Sequence, residues 1–163
     1  MIKKIDIAGI ELDNYTVREA IMLLEKNMGS QIFTTLEEVN MKTLLLAESD
    51  ERVREALELL DYSVIAESGI LSAVGEESMQ RKREIEEHDF YFELLKRLER
   101  NHKTIFLLGK TQEEVDQALQ TIGEDFPKCG IAGAEALESC VGAVDAIVNE
   151  INAVTPDVVI SIL

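Results

Sequence analysis

The chain alternates short apolar runs with longer stretches in which apolar residues recur every three or four positions. The first pattern suits strands and the second suits amphipathic helices. IDIAGIEL near the start predicts a β-ribbon that bends at or near Gly9. YTVREAIMLLEKN follows as a helix, with Thr16 and Glu19 at capping-box spacing and Ala20, Leu23, Leu24 and Met28 at helical spacing. QIFTT, residues 31–35, predicts a strand. EEVNMKTLLLAE then predicts a helix, and SDERVREALELLD another, capped by Ser49 or Asp50. YSVIA, residues 62–66, reads as a short buried strand, GILSAV as a short helix, and residues 76–101 as one long or broken helix. KTIFLLG is a continuous apolar strand, and TQEEVDQALQTIG a helix with a second capping box at Thr111 and Glu114. KCGIAG predicts a strand, residues 139–154 a helix, and DVVISIL a last apolar strand.

Strands separated by helices, most without polar alternation, predict a right-handed βαβ series. The expected fold is α/β and Rossmann-like, a mostly parallel sheet flanked by helices with a short N-terminal β-ribbon. No repeat or Pro/Gly-rich linker breaks the chain, and 163 residues suit a single domain over 1–163. A domain of this class continues through a functional loop where this chain reaches Leu163, so truncation at the C-terminus is expected. Ligands in such sheets sit beyond the C-terminal ends of the strands. That rule nominates residues 34–38, 67–69, 109–111 and 133–134.

Charge narrows the choice of partner. A net charge of -16 repels a phosphate backbone, and no basic stripe with interleaved aromatics offsets it, so nucleic acid is excluded. QRKRE, residues 80–84, is the one dense basic run; EIEEHD follows at once, and the run reads as a solvated helix face. No apolar run approaches the roughly 20 residues that span a bilayer. MIKKIDIAGIELD lacks the form of a signal peptide, so a cytoplasmic location is expected. Cys129 and Cys140 form no CxxC pair and read as free thiols.

Candidate chemistry is sparse. His88 and His102 stand apart with no HxxxH partner, so no metal is expected, and with GxGxxG absent no dinucleotide cofactor is expected either. GxSxG is missing too, which leaves a serine hydrolase without an anchor. LLGKT has Thr104 where a phosphate loop needs glycine, so Thr111 reads first as a helix cap, although amides at that helix start can still hold a phosphate or carboxylate. Glu67 follows an apolar strand. It is either a general base, if burial raises its pKa, or an ordinary loop charge. Ser68 and Gly69 offer backbone N–H groups beside it.

Taken in order, IDIAGIELDNYTVREAI, IFTTLEEVN, the helix pair ending in ALELLD, SVIAESGIL, IFLLGK and INAVTPDVVISIL resemble the WecG/TagA/CpsF glycosyltransferases, glycosyltransferase family 26. The resemblance covers nearly the whole chain. It implies transfer of an N-acetylhexosamine from a UDP-sugar to a polyprenyl-diphosphate-linked sugar, in teichoic acid or surface-polysaccharide synthesis. The implied mechanism is inverting displacement, with a carboxylate deprotonating the acceptor hydroxyl.

The resemblance also assigns residues. Thr34 and Glu38 match the ends of a Thr-Pro-Asn-Ala-Glu stretch, with Thr35, Leu36 and Glu37 between them. Glu67 and Ser68 stand where the family has Asp-Gly, which makes Glu67 the implied base. Asp89 matches the end of Arg-Val-x-Gly-x-Asp, while Glu84 and Glu87 replace its arginine and glycine. Residues 134–137, Ala-Glu-Ala-Leu, replace His-His-Gly. The family's Gly-x-Pro-x-Gln-Glu stretch and its basic, membrane-contacting appendage belong beyond Leu163. The implied catalytic residues are therefore Glu67 and Asp89, with Thr34, Thr35 and Glu38 lining the substrate cleft. Ser68, Gly69, Gly109, Lys110 and Thr111 border the same strand edge as binding candidates. Self-association and peripheral membrane contact through the missing segment are implied as well. The alternative is a catalytically inactive relative that binds a sugar nucleotide or serves as a partner subunit. Acid in place of arginine points that way, since like charges about 4 Å apart repel by about 4 kcal/mol at an effective dielectric of 20.

Overall fold

A computed structural model describes residues 4–140, 142 and 144–162. The fold is α/β as the periodicity predicts, with an antiparallel ribbon at the start and parallel ladders flanked by helices. The parallel pairing falls into two ladders, β3–β4 and β6–β5–β7, and the chain divides into two compact units, Met1–Glu93 and Leu94–Leu163.

The first unit opens with β1 (Lys4–Ile7) and β2 (Ile10–Asp13), joined by Ala8 and Gly9 at φ 52° and 80°. Positive φ at both turn residues matches the twist of a tight hairpin. Helix α1 (Val17–Gly29) carries the expected capping box: the Glu19 amide donates to Thr16 Oγ1 at 3.1 Å, and the Thr16 amide donates to Glu19 Oε2 at 2.9 Å. Strand β3 (Leu36–Val39) then pairs in parallel with β4 (Tyr62–Ile65) across α2 (Met41–Ser49) and α3 (Glu51–Glu58). Helices α4 (Ser68–Ala73), α5 (Met79–Glu87) and α6 (Phe90–Arg100) follow, and the division between units falls within α6. Ile10, Leu12, Val39, Ile65, Ile70 and Leu71 are the heart of the core.

Three expectations need correction here. The strand expected at QIFTT lies at LEEV, residues 36–39; residues 32–35 are irregular, and Phe33 is 87% exposed. High β-propensity marked IFTT, but pairing of Leu36 with Tyr62 and of buried Val39 with Ile65 decides the register. The helix expected from Glu37 consequently starts at Met41, capped by Asn40, whose Oδ1 accepts from the Thr43 amide at 2.8 Å. Over 76–101, expected as one long or broken helix, the broken form is present: α5 and α6 part at His88 and Asp89, where Asp89 Oδ1 accepts from the Phe92 amide at 2.7 Å and starts α6. Finally, the basic run is not a solvated face throughout. Arg81 is 5% exposed, donating from Nε to Asn14 Oδ1 at 2.9 Å, from Nη2 to the Tyr15 carbonyl at 2.7 Å, and from Nη1 to Glu84. Glu84 also accepts from the Val17 amide at 2.9 Å, tying α5 to the start of α1.

In the second unit β5 (Thr104–Gly109) is central, flanked in parallel by β6 (Gly130–Ala136) and β7 (Val158–Ile162). Ile105, Phe106 and Leu107 are buried in succession, so both faces of β5 are covered. Helix α7 (Gln112–Asp125) carries the second capping box at Thr111 and Glu114. The helix expected over 139–154 is a 3-10 turn, Leu137–Cys140, followed by α8 (Val144–Val154); Val141 and Ala143 lie outside the described residues.

The same clasp starts a strand pair in each unit. The Thr35 amide donates to Asp61 Oδ2 at 2.8 Å, and the Asp61 amide donates to Thr35 Oγ1 at 3.0 Å, just ahead of β3 and β4. At β5 and β7 the Thr104 amide donates to Asp157 Oδ2 at 2.8 Å and the Asp157 amide to Thr104 Oγ1 at 3.2 Å. The Thr104 amide bond holds the Asp157 carboxyl below its ordinary pKa, with Lys103 helping.

Two predictions follow from this packing. Arg81→Ala leaves Glu84 and Asn14 without their cation and should cost about 3 kcal/mol or more in urea unfolding, against less than about 0.5 kcal/mol for the exposed neighbour Arg83→Ala. For Asp157, whose folded pKa is depressed, the stabilisation is full above the ordinary aspartate pKa near 4 and is lost as pH falls through the folded value. Acid titration should therefore show wild type losing its stability advantage over Asp157→Asn below about pH 4; a constant gap would rule the clasp out as the cause.

Candidate functional site

The C-terminal ends of β3 and β4 open into a groove of about 160 Å³. Val64, Ile65 and Ala66 form its floor, and Val17, Ile85 and Phe90 add apolar wall. Four polar side chains also line it: Glu38 from β3, Glu86 from α5, and His88 and Asp89 from the break before α6. Glu38 reaches this position because β3 is shifted toward Val39 relative to the predicted strand; it pairs in register with Val64.

Electrostatics single out Glu38. Partial burial pushes its carboxyl above the ordinary glutamate range, and the Asp89 charge pushes it further. Burial also raises Glu37, the preceding strand residue. The phenol of Tyr91 is raised first by burial and then by Glu38, Glu37 and Asp89, which puts it in the same negative field. A carboxylate whose pKa is lifted toward neutrality can hold a proton and release it near working pH, the property a general base needs.

The other predicted residues divide. Glu67 is exposed at the N-cap of α4, makes no side-chain capping bond, and does not line the groove; it follows Ala66, so it stands at the lip. Ser68 Oγ donates to Glu86 Oε1 at 2.7 Å, fastening α4 to the groove wall, while Gly69 has open space about it. Asp89 lines the groove and also caps α6. Thr34 and Thr35 lie ahead of β3, at the end away from the groove: Thr34 Oγ1 accepts from Asn27 Nδ2 at 2.9 Å, and Thr35 belongs to the Asp61 clasp.

Gly109, Lys110 and Thr111 belong to the second unit, where local packing accounts for them. A Cβ on Gly109 would meet Val115 Cγ2 at 2.5 Å, and one on Gly133 would meet the Phe106 ring at 2.7 Å, so both glycines permit close approach. The start of α7 is occupied: the Glu114 amide donates to Thr111 Oγ1 at 3.2 Å and the Gln112 amide to Glu138 Oε1 at 2.7 Å. Those amides are taken by protein carboxylate and hydroxyl, which favours the capping role of Thr111 over a phosphate site.

Glu84, read from the sequence as unfavourable acid facing a nucleotide, is neutralised by Arg81 and the Val17 amide. Sequence reasoning did not single out Glu86 or Tyr91; each sits among charged or aromatic neighbours with no distinguishing spacing. Among the described residues no group of three His, Cys, Asp or Glu side chains could hold a metal ion, and no helix is long and apolar enough to cross a membrane.

A family profile described as "Glycosyl transferase WecG/TagA/CpsF family" matches residues 5–161. Similar relatives include proteins named N-acetylglucosaminyldiphosphoundecaprenol N-acetyl-beta-D-mannosaminyltransferase from Staphylococcus aureus strains NCTC 8325 / PS 47 and COL, each 25% identical over 131 residues. The match covers 79% of this chain and 52% of each relative, so the chain spans about half the length of the curated relatives it matches. On a match running from Ile5 to Ser161, the chain belongs to the WecG/TagA/CpsF family of glycosyl transferases.

Proposed function

We propose that this chain takes part in transferring an N-acetylhexosamine from a UDP-sugar to a polyprenyl-diphosphate-linked N-acetylglucosamine, with Glu38 as the general base. The observation that carries the reading is the half-buried Glu38 carboxyl, raised in pKa and facing Asp89 in the groove beyond β3 and β4. In the proposed step the acceptor hydroxyl attacks the anomeric carbon from one face. Its proton passes to Glu38, the bond from the anomeric carbon to the phosphate oxygen breaks, and UDP leaves from the opposite face with inversion. Asp89 acts through its charge, which makes Glu38 the stronger base. Glu67, at the lip, accepts hydrogen bonds from sugar hydroxyls in this reading.

The family position favours Glu67 as base, whereas desolvation favours Glu38. A base must lie within about 3 Å of the proton it removes. The transfer serves cell-surface polysaccharide synthesis under this reading, with the whole chain acting as one transferase domain on the cytoplasmic side of the membrane.

Release of UDP from UDP-N-acetylhexosamines, with a short-chain lipid-diphosphate N-acetylglucosamine as acceptor, tests the assignment. Glu38→Gln should lower kcat by about 100-fold or more while keeping UDP affinity, and Glu67→Gln should stay within about threefold. The reverse order would move the base to Glu67. UDP binding without turnover in wild type would support the inactive relative instead.

A second expectation concerns stability. Because the folded pKa of Glu38 is raised, the native state holds that proton more tightly than the unfolded chain does. Stability from this group therefore falls as pH rises from the ordinary value near 4.3 through the folded pKa. Glu38→Gln should melt higher than wild type at pH 7, with the gap closing toward pH 4; an equal melting temperature at both pH values would remove burial as the source of the shift.

A further inference from the structure

Of the acids that line the groove beyond β3 and β4, Glu38 is the proposed base, and Asp89 also caps α6 by accepting from the Phe92 amide at 2.7 Å. Glu86 is left. Its Oε1 accepts from Ser68 Oγ at 2.7 Å, and among the described residues it pairs with no cation. A carboxylate offers about four acceptor positions, and Ser68 uses one of them. We infer that Glu86, oriented by Ser68, determines which acceptor sugar the groove takes. It accepts a hydrogen bond from a hydroxyl of that sugar other than the one that attacks. This rests on the transferase reading, in which the acceptor brings a hydroxyl to Glu38.

Size puts both acids within reach of one ring. At about 160 Å³ the groove is smaller than the roughly 300–1,000 Å³ of common ligand pockets, so a sugar that reaches Glu38 also meets Glu86. Val64, Ile65 and Ala66 give the floor an apolar surface for the C–H face of the ring, which leaves hydroxyl recognition to the polar wall.

The bond to Ser68 prepares Glu86 for this contact. A glutamate free in water gives up rotamer freedom when it binds a ligand, and a hydroxyl already fixed on one oxygen lowers that cost. At 2.7 Å the contact has the length of a charge-assisted O–H···O⁻ bond, and the second oxygen stays available. The pair also stands outside the family's shared motifs. Ser68 takes the place of a glycine, which has no hydroxyl, and Glu86 falls at the open position after Arg-Val in Arg-Val-x-Gly-x-Asp. A contact built from two such residues suits a choice of substrate rather than the transfer step that relatives share.

Kinetics with a short-chain lipid-diphosphate N-acetylglucosamine and its 3-, 4- and 6-deoxy analogues test this. The analogue without the attacking hydroxyl gives no transfer. Of the remaining two, one should lose about fivefold or more in kcat/KM on wild type, chiefly through KM. On Glu86→Ala that loss should shrink to less than about twofold, with Glu86→Gln between and serving where Glu86→Ala is too slow to measure. Ser68→Ala should reduce the loss, and Ser68→Thr should keep it. Each value is a ratio of two substrates on one variant, so it does not depend on how much of the variant is folded. A tether that only held α4 in place would leave the ratio unmoved. If the Glu86 variants keep the wild-type loss, or wild type shows none with either analogue, the assignment is overturned and the transferase reading stands. If wild type transfers to none of these acceptors, both are overturned.

Discussion

The buried guanidinium of Arg81 holds one wall of the first unit's groove in place. Burial pulls its pKa down, and the Glu84 charge, with Glu19 behind it, pushes back. An arginine taken out of water demands a partner for its donors, and Asn14, the Tyr15 carbonyl and Glu84 supply them. Because Glu84 also receives the Val17 amide, one cation fastens α5 to the link between the ribbon and α1. Val17 from α1 and Ile85, Glu86 and His88 from the α5 side all line the groove. The groove's wall thus depends on a side chain that does not line the groove.

Local chemistry was legible where it is decided by neighbours in sequence. Both capping boxes form as read, because Thr and Glu three residues apart satisfy each other's amides without help from the rest of the chain. The apolar runs at β4 and β5 were legible for a similar reason: continuous burial leaves a continuous apolar signature. Strand β3 was not, because LEEV carries two glutamates and its neighbour IFTT has the stronger β-propensity. Only the pairing with Tyr62–Ile65 selects it, and that partner lies more than twenty residues away. How the candidate residues group in space was hidden for the same cause. Glu38 and Asp89 were named, but their meeting depends on β3's register, and the burial of Arg81 cannot be seen in a run that is basic throughout.

The groove also shows a tension between stability and chemistry. Two successive glutamates on a short strand are poor material for a core, and burial raises both carboxyls. A sequence optimised for stability alone would place apolar or neutral side chains there. The same field reaches Tyr91 on the first turn of α6, so the phenol stays protonated beside the acids and remains a hydrogen-bond donor.

The paired Thr–Asp clasps give the two parallel ladders a polarity. Each locks the leading end of its strands with reciprocal bonds, and a one-residue slip would turn every side chain to the opposite face. Register is therefore fixed at one end of each ladder, leaving the trailing end free of that duty. Sequence change can accumulate at the trailing ends without re-threading the sheet. A scaffold so anchored can exchange the acids, hydroxyls and loops at its trailing ends while its strands stay in step.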